Sequence, residues 1–226
     1  MPGSGVRNWP PGDPGDVHVL RGNWVATLRR FVGSPAKTER CELCGSGLGA
    51  AHQHLVDPAN RRLLCACEHC VGKIASAANS EYRIVLSRAR LLPGFHMTDA
   101  EWDALRLPID MAFLFHSTPD RRPVALYPGP AGATESLLSL DAWGQIVASN
   151  PALADLEPDV EALLVNRIEG AREYYRVPID RCFALVGLIR TRWRGLSGGA
   201  EAWQAIRHFF AELRNPVAAR REWRHG

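Results

Sequence analysis

The chain has 226 residues, 46% of them hydrophobic and 23% charged, with 27 basic against 24 acidic residues and a formal charge of +3. A chain of this mass hides roughly 70% of its extended surface on folding, and the composition is that of a globular protein, which excludes wholesale disorder, collagen and coiled coil. The near balance of charge gives no push toward nucleic acid or an anionic membrane.

Residues 1–16 carry four Pro and four Gly without an apolar period, so they read as a disordered N-terminus. They lack a secretory pattern, and no stretch approaches the roughly 20 apolar residues of a membrane span. The expected location is therefore cytoplasmic. Trp24, Leu28, Phe31 and Val32 then share one helical face, which predicts a docked helix and linker over residues 17–40. Residues 41–78 form a cysteine module. Thr98 followed by Glu101 is a capping box that opens a short helix. Asp110-Met-Ala-Phe-Leu-Phe-His and Pro123-Val-Ala-Leu-Tyr-Pro read as a β-hairpin around a polar turn.

Residues 127–136 read as a loop, and helices are expected over 141–149 and 158–168, the second opening on Pro158. Residues 177–193 read as one long buried strand or a strand pair, which would set Arg190, Arg192 and Arg194 on one face. Trp203, Ile206, Phe209, Phe210 and Leu213 recur at helical spacing over 200–213. A basic tail occupies 217–226.

Five of the six cysteines fall in one stretch: Cys41, Cys44, Cys65, Cys67 and Cys70. In a reducing compartment such a cluster binds metal rather than forming disulfides. Cys41-Glu-Leu-Cys44-Gly45 is a metal knuckle, and the glycine accepts the backbone that turns amides toward sulfur. Cys67-Glu-His-Cys70 repeats the spacing after a hairpin centred on Asp57-Pro-Ala-Asn60. The expected ligands are Cys41, Cys44, Cys67 and Cys70, with Cys65 as the alternate ligand, since a strand would point Cys65 and Cys67 to one side. His52 and His54 are further candidates for ligands or for groups behind them, and two ions are conceivable for five Cys and two His. His69 is expected to face solvent. Four thiolates suit zinc, with iron as the alternative. The His52-Gln-His54 and Asn60 spacing is too compressed for a nuclease of the HNH type.

Elsewhere, no nucleotide fingerprint, Ser-His-Asp order or paired-carboxylate signature stands out, so no catalytic residue is assigned. Cys182 reads as a buried small hydrophobe, His116 as structural, and Gly198-Gly199 as a tight turn.

Long stretches are similar to a mainly actinobacterial family encoded near uptake [NiFe] hydrogenase genes. The likeness rests on Cys41-Glu-Leu-Cys44-Gly45, His52-Gln-His54-Leu, Arg62-Leu-Leu-Cys65-Ala-Cys67, Gly132-Ala-Thr-Glu-Ser136, the stretch from Glu157 to Arg167 and that from Leu185 to Arg190, and it spans about residues 38–214. It implies a role near a hydrogenase, in assembly or electron transfer, and carries over no catalytic residue. Gene neighbourhood is association and not physics.

The expected architecture is α+β. A small zinc-ribbon or treble-clef module with four cysteine ligands (41–78) joins a larger mixed domain (79–216) with a β-hairpin, a long strand and packed helices. The expected function is a non-enzymatic metal-binding accessory or interaction protein with structural zinc, its partner a protein such as a hydrogenase or its maturation machinery. The alternatives are a rubredoxin-like iron electron carrier and, disfavoured by charge, a nucleic-acid-binding zinc protein.

Overall fold

The computed structural model describes residues 39–78, 80–85, 88–136 and 140–215. The expected helix with Trp24, Leu28, Phe31 and Val32 lies outside the described residues, as do residues 1–16 and the tail 217–226. In chain order the elements are β1 (Gln53–Asp57), β2 (Arg62–Ala66), α1 (Glu68–Ala75), β3 (Arg83–Val85), β4 (Arg90–Leu91), α2 (Asp99–Ala104), β5 (Met111–Ser117), β6 (Arg122–Gly129) and β7 (Gly132–Ser136). There follow α3 (Leu140–Ser149), β8 (Glu161–Asn166), β9 (Glu173–Pro178), α4 (Ile179–Arg192) and α5 (Gly199–Arg214).

Two antiparallel sheets result, one ordered β2-β1-β3 and one ordered β4-β9-β8-β5-β6-β7. Alternation along the strands sorts the second sheet's side chains to two faces. Phe113 and Phe115 of β5, Leu164 of β8 and Tyr175 of β9 meet Phe183 and Val186 of α4 and Phe210 of α5. Leu114, Leu163, Val165 and Tyr174 point the other way, to Trp102, Leu105 and Ile146 of the α2 and α3 side. The sheet is thus covered by helices on both faces, and the fold is α+β as expected.

Several elements follow directly from local chemistry. Thr98 caps α2, its Oγ1 accepting from the Glu101 amide at 3.1 Å while Glu101 Oε2 accepts from the Thr98 amide at 2.7 Å. The hairpin of β5 and β6, α3 and α5 lie where the sequence puts them.

Three readings are corrected. Residues 158–168 do not form a helix: Glu161 to Asn166 are the all-buried strand β8, whose apolar run faces helices on both sides and so shows no alternation. Residues 177–193 are not a long strand. β9 ends at Pro178 and α4 begins at Ile179, a 14-residue helix with Cys182, Phe183, Leu185, Val186, Gly187 and Ile189 buried. A run of that length is a buried helix rather than a strand, and Arg190 and Arg192 sit in its last turn instead of alternating on a strand with Arg194. Residues 127–136 are not a loop, because β6 and β7 pair through Gly129 and Gly132.

The smaller sheet carries the cysteine module and docks on the α4 side of the larger one. Val56, Leu63 and Val85 join the core formed by Phe115, Val124 and Leu126. Leu55 and Leu64, on the opposite face of the hairpin, pack with Cys41, Cys70 and Val71. No helix among the described residues is long and apolar enough to cross a membrane.

Candidate metal centre

The first knuckle turns because Gly45 takes φ +77°, a left-handed conformation that costs glycine nothing. Its amide donates to the Cys41 carbonyl at 2.8 Å, and the Cys41 amide donates to the Ser46 carbonyl at 2.8 Å. The second pair sits at the start of α1: Cys67 is the N-cap and Cys70 lies in the first turn. A helix N-terminus presents unpaired amides and a positive dipole end, both of which favour thiolate. Knuckle, hairpin and helix in that order are the outline of a treble clef.

These elements bring Cys41, Cys44, Cys67 and Cys70 together, with the four sulfurs within 4.8 Å of one another. Sulfurs around a tetrahedral ion with bonds of about 2.3 Å sit about 3.8 Å apart, and those of Cys44 and Cys67 are 3.6 Å apart. The cluster can hold one metal ion. Cys41 and Cys70 are buried and Cys44 is exposed, so the group opens to solvent along one edge.

The protonation of the thiols is uneven. Burial pushes Cys41 up, but the amides of Cys67, Cys44 and Leu43 outweigh it and leave its pKa lowered. Cys44 is lowered to about 6, first by the Ser46 hydroxyl and then by the Ser46 amide. Its sulfur lies 3.2 Å from Ser46 Oγ. Cys70 goes the other way, pushed up to about 12 by burial and by the neighbouring cysteine sulfurs. Cys41 and Cys44 are thus shifted toward the thiolate and Cys70 away from it, the unevenness expected where several thiols converge and compete for one proton balance.

Cys65 is not in this group. β2 stops at Ala66 and Cys67 already starts the helix, so strand alternation does not carry from one to the other. Cys65 lies instead opposite His54 in the β1–β2 register, and one donor atom each of His52, His54 and Cys65 fall within 4.8 Å. Glu42 stands between the two groups: its Oε2 accepts from the Cys65 amide at 2.9 Å, and its own amide donates to the Cys65 carbonyl at 2.9 Å.

The model of a family of unknown function, DUF5947, matches residues 40–217. The chain belongs to this family. The match takes in the cysteine module and both sheets of the DUF5947 fold. No curated protein and no solved structure matches the chain.

The remaining candidates of this DUF5947 chain fall into structural places. His69 is exposed, as is His116 on β5. Cys182 is fully buried in α4, where burial raises its thiol well above the usual value. Gly198 makes a left-handed turn before α5. Two residues beside the clusters carry no signal in the sequence: Glu42, which only the folded knuckle brings to β2, and Asp180, which only the docking of α4 brings to His54.

Proposed function

We propose that this DUF5947 protein is a metal-binding accessory protein in which Cys41, Cys44, Cys67 and Cys70 hold one structural zinc ion. The observation that carries the reading is the convergence of four sulfurs, two from a knuckle and two from a helix N-terminus. Four protein thiolates complete a tetrahedron and leave no vertex for substrate, which is the form of a structural site. The small core around it, with Leu55, Leu64, Ala66 and Val71, is too slight to hold the module alone. Zinc would supply the missing folding energy and fix the surface that the module offers to a protein partner. Reduced thiols fit a reducing, cytoplasmic setting. The partner we infer is a [NiFe] hydrogenase or its maturation machinery, and that inference rests on the family resemblance alone.

Metal analysis and a visible spectrum of protein isolated without added metal test the first part. Zinc bound to a colourless protein is expected. Iron with thiolate charge-transfer bands that bleach on reduction would overturn structural zinc in favour of an electron carrier. Pull-down from a host expressing the hydrogenase tests the second part, and recovery of nucleic acid without hydrogenase components would overturn it.

A further inference from the structure

The group left over by the four-cysteine cluster has its own organisation. His52 lies just before β1 and His54 within it, so the two share one face of the strand, and Cys65 stands across from His54 on β2. This face is turned to the larger domain, as Val56 and Leu63 beside it show by packing into that domain's core. The imidazole rings are 4.9 Å apart and nearly perpendicular.

Each ring is held from behind through Nδ1. His54 Nδ1 lies 2.8 Å from Asp180 Oδ2, in the first turn of α4. An ionised carboxylate only accepts, so this nitrogen carries the hydrogen, and in the neutral ring Nε2 then carries the lone pair. His52 Nδ1 lies 3.1 Å from the Gly49 carbonyl and 3.3 Å from Glu39 Oε2, again groups that accept. In the neutral ring its Nε2 is then a lone pair as well, and this atom is buried without any hydrogen-bond partner on a side chain only 9% exposed. A buried acceptor without a donor is unfavourable and is satisfied when it binds a cation. A carboxylate behind a histidine whose other nitrogen points into a ligand cluster is the usual arrangement around a metal-bound imidazole.

We propose that His52, His54 and Cys65 form a second metal site, taking a zinc-class divalent transition ion, with Asp180 as the positioning residue for His54. Two imidazoles and a thiolate are borderline-to-soft donors that disfavour magnesium and calcium. Bonds of about 2.0–2.3 Å ask for donors about 3.3–3.8 Å apart, so the three would close by no more than about 1.5 Å. Three ligands among the described residues leave a fourth vertex to a further donor, unlike the closed four-sulfur cluster. The site sits at the seam between module and domain, so an ion there would also bind the hairpin to α4 through Asp180.

The test equilibrates full-length protein with excess zinc, desalts it and measures bound metal per chain. Two equivalents are expected for the wild type. His52→Ala and, separately, Cys65→Ala should each retain one, with an unchanged far-ultraviolet spectrum, while Cys44→Ser should lose the other. Asp180→Asn should keep both ions but release one about 10–100-fold more readily to a chelator. Two equivalents retained by both His52→Ala and Cys65→Ala would overturn the site, as would one equivalent in the wild type that both variants keep, which would belong to the four-cysteine cluster. One equivalent that His52→Ala loses and Cys44→Ser keeps would support the site and overturn the structural-zinc reading instead.

Discussion

Arg61, in the turn between β1 and β2, forms an ion pair with Asp120, in the turn between β5 and β6. The two turns belong to different sheets, so the pair ties the cysteine module to the larger domain. Ser117 Oγ also donates to Asp120 Oδ2 at 2.7 Å. Nearby, Arg83 Nε lies 3.4 Å from Asp159 Oδ2, a carboxylate fixed by the Thr118 amide at 2.9 Å. The module is docked by a small apolar contact edged with polar links.

The Asp120 carboxyl titrates below its usual range: burial raises it, but Ser117 and Arg61 together outweigh burial. Its folded pKa is thus lower than its unfolded pKa of about 3.9. The link therefore contributes fully above that pH and is lost as pH falls through the folded value. Asp120→Asn should lower stability at neutral pH by about 0.5–1 kcal/mol, a modest figure because the pair is partly exposed. Urea midpoints should show the gap between variant and wild type shrinking toward pH 3. A gap of constant size across that range would contradict the assignment.

Removal of the ion from the four-cysteine cluster should act locally. Chelation is expected to raise amide exchange in α1 and in the hairpin of β1 and β2, whose core is small. The central strands β5 and β8, buried on both faces, should keep their protection. Hydrogen exchange with and without chelator reads this directly. An equal rise in β5 and β8 would show that the metal holds the whole fold together.

Two glycines should respond to alanine with opposite signs. Gly198 sits at φ +86°, and a Cβ there would come within 2.9 Å of the Trp193 ring. That ring is packed against Trp203, at 5.8 Å between centroids. Gly198→Ala should cost about 1–3 kcal/mol from backbone strain and ring displacement. Gly72, inside α1, has nothing within 4 Å of its would-be Cβ. Gly72→Ala should stabilise by about 0.5–1 kcal/mol through helix propensity. Thermal melts of the two variants decide both, and destabilisation by Gly72→Ala would refute the second.

The cysteine spacing, the Thr98 capping box, the hairpin around Thr118 and the apolar period of α5 were legible because each is a local signal. β8 and α4 were not, for one shared reason. Both are buried on nearly all sides, so neither shows the period of its own type: Ala162 to Val165 lack alternation, and 182–189 lack a polar face. Length was the remaining clue, since 14 residues exceed an ordinary strand. The four-cysteine cluster could be read from pairs three residues apart. The grouping of His52, His54 and Cys65 could not, because it depends on the register that sets His54 across from Cys65. Asp180 reaches His54 across 126 residues of sequence, which no local pattern encodes.

Asn150 offers the sharpest test of the face opposite the module. It is 3% exposed and follows α3. Its Oδ1 accepts from the His96 amide at 2.8 Å, and its Nδ2 donates to the His96 carbonyl at 2.8 Å and to the Ile146 carbonyl at 2.8 Å. One side chain thus imitates a strand partner for the segment between β4 and α2 and closes the end of α3 as well. Asn150→Ala would leave the part-buried His96 amide without this partner and remove a bond from two carbonyls, at up to about 1–3 kcal/mol for each group left unsatisfied. The expected loss is about 2–4 kcal/mol by urea denaturation, with metal content unchanged because neither cluster touches this face. A loss below about 0.5 kcal/mol, typical of surface substitutions, would mean that the 93–98 segment holds itself and that these hydrogen bonds add little.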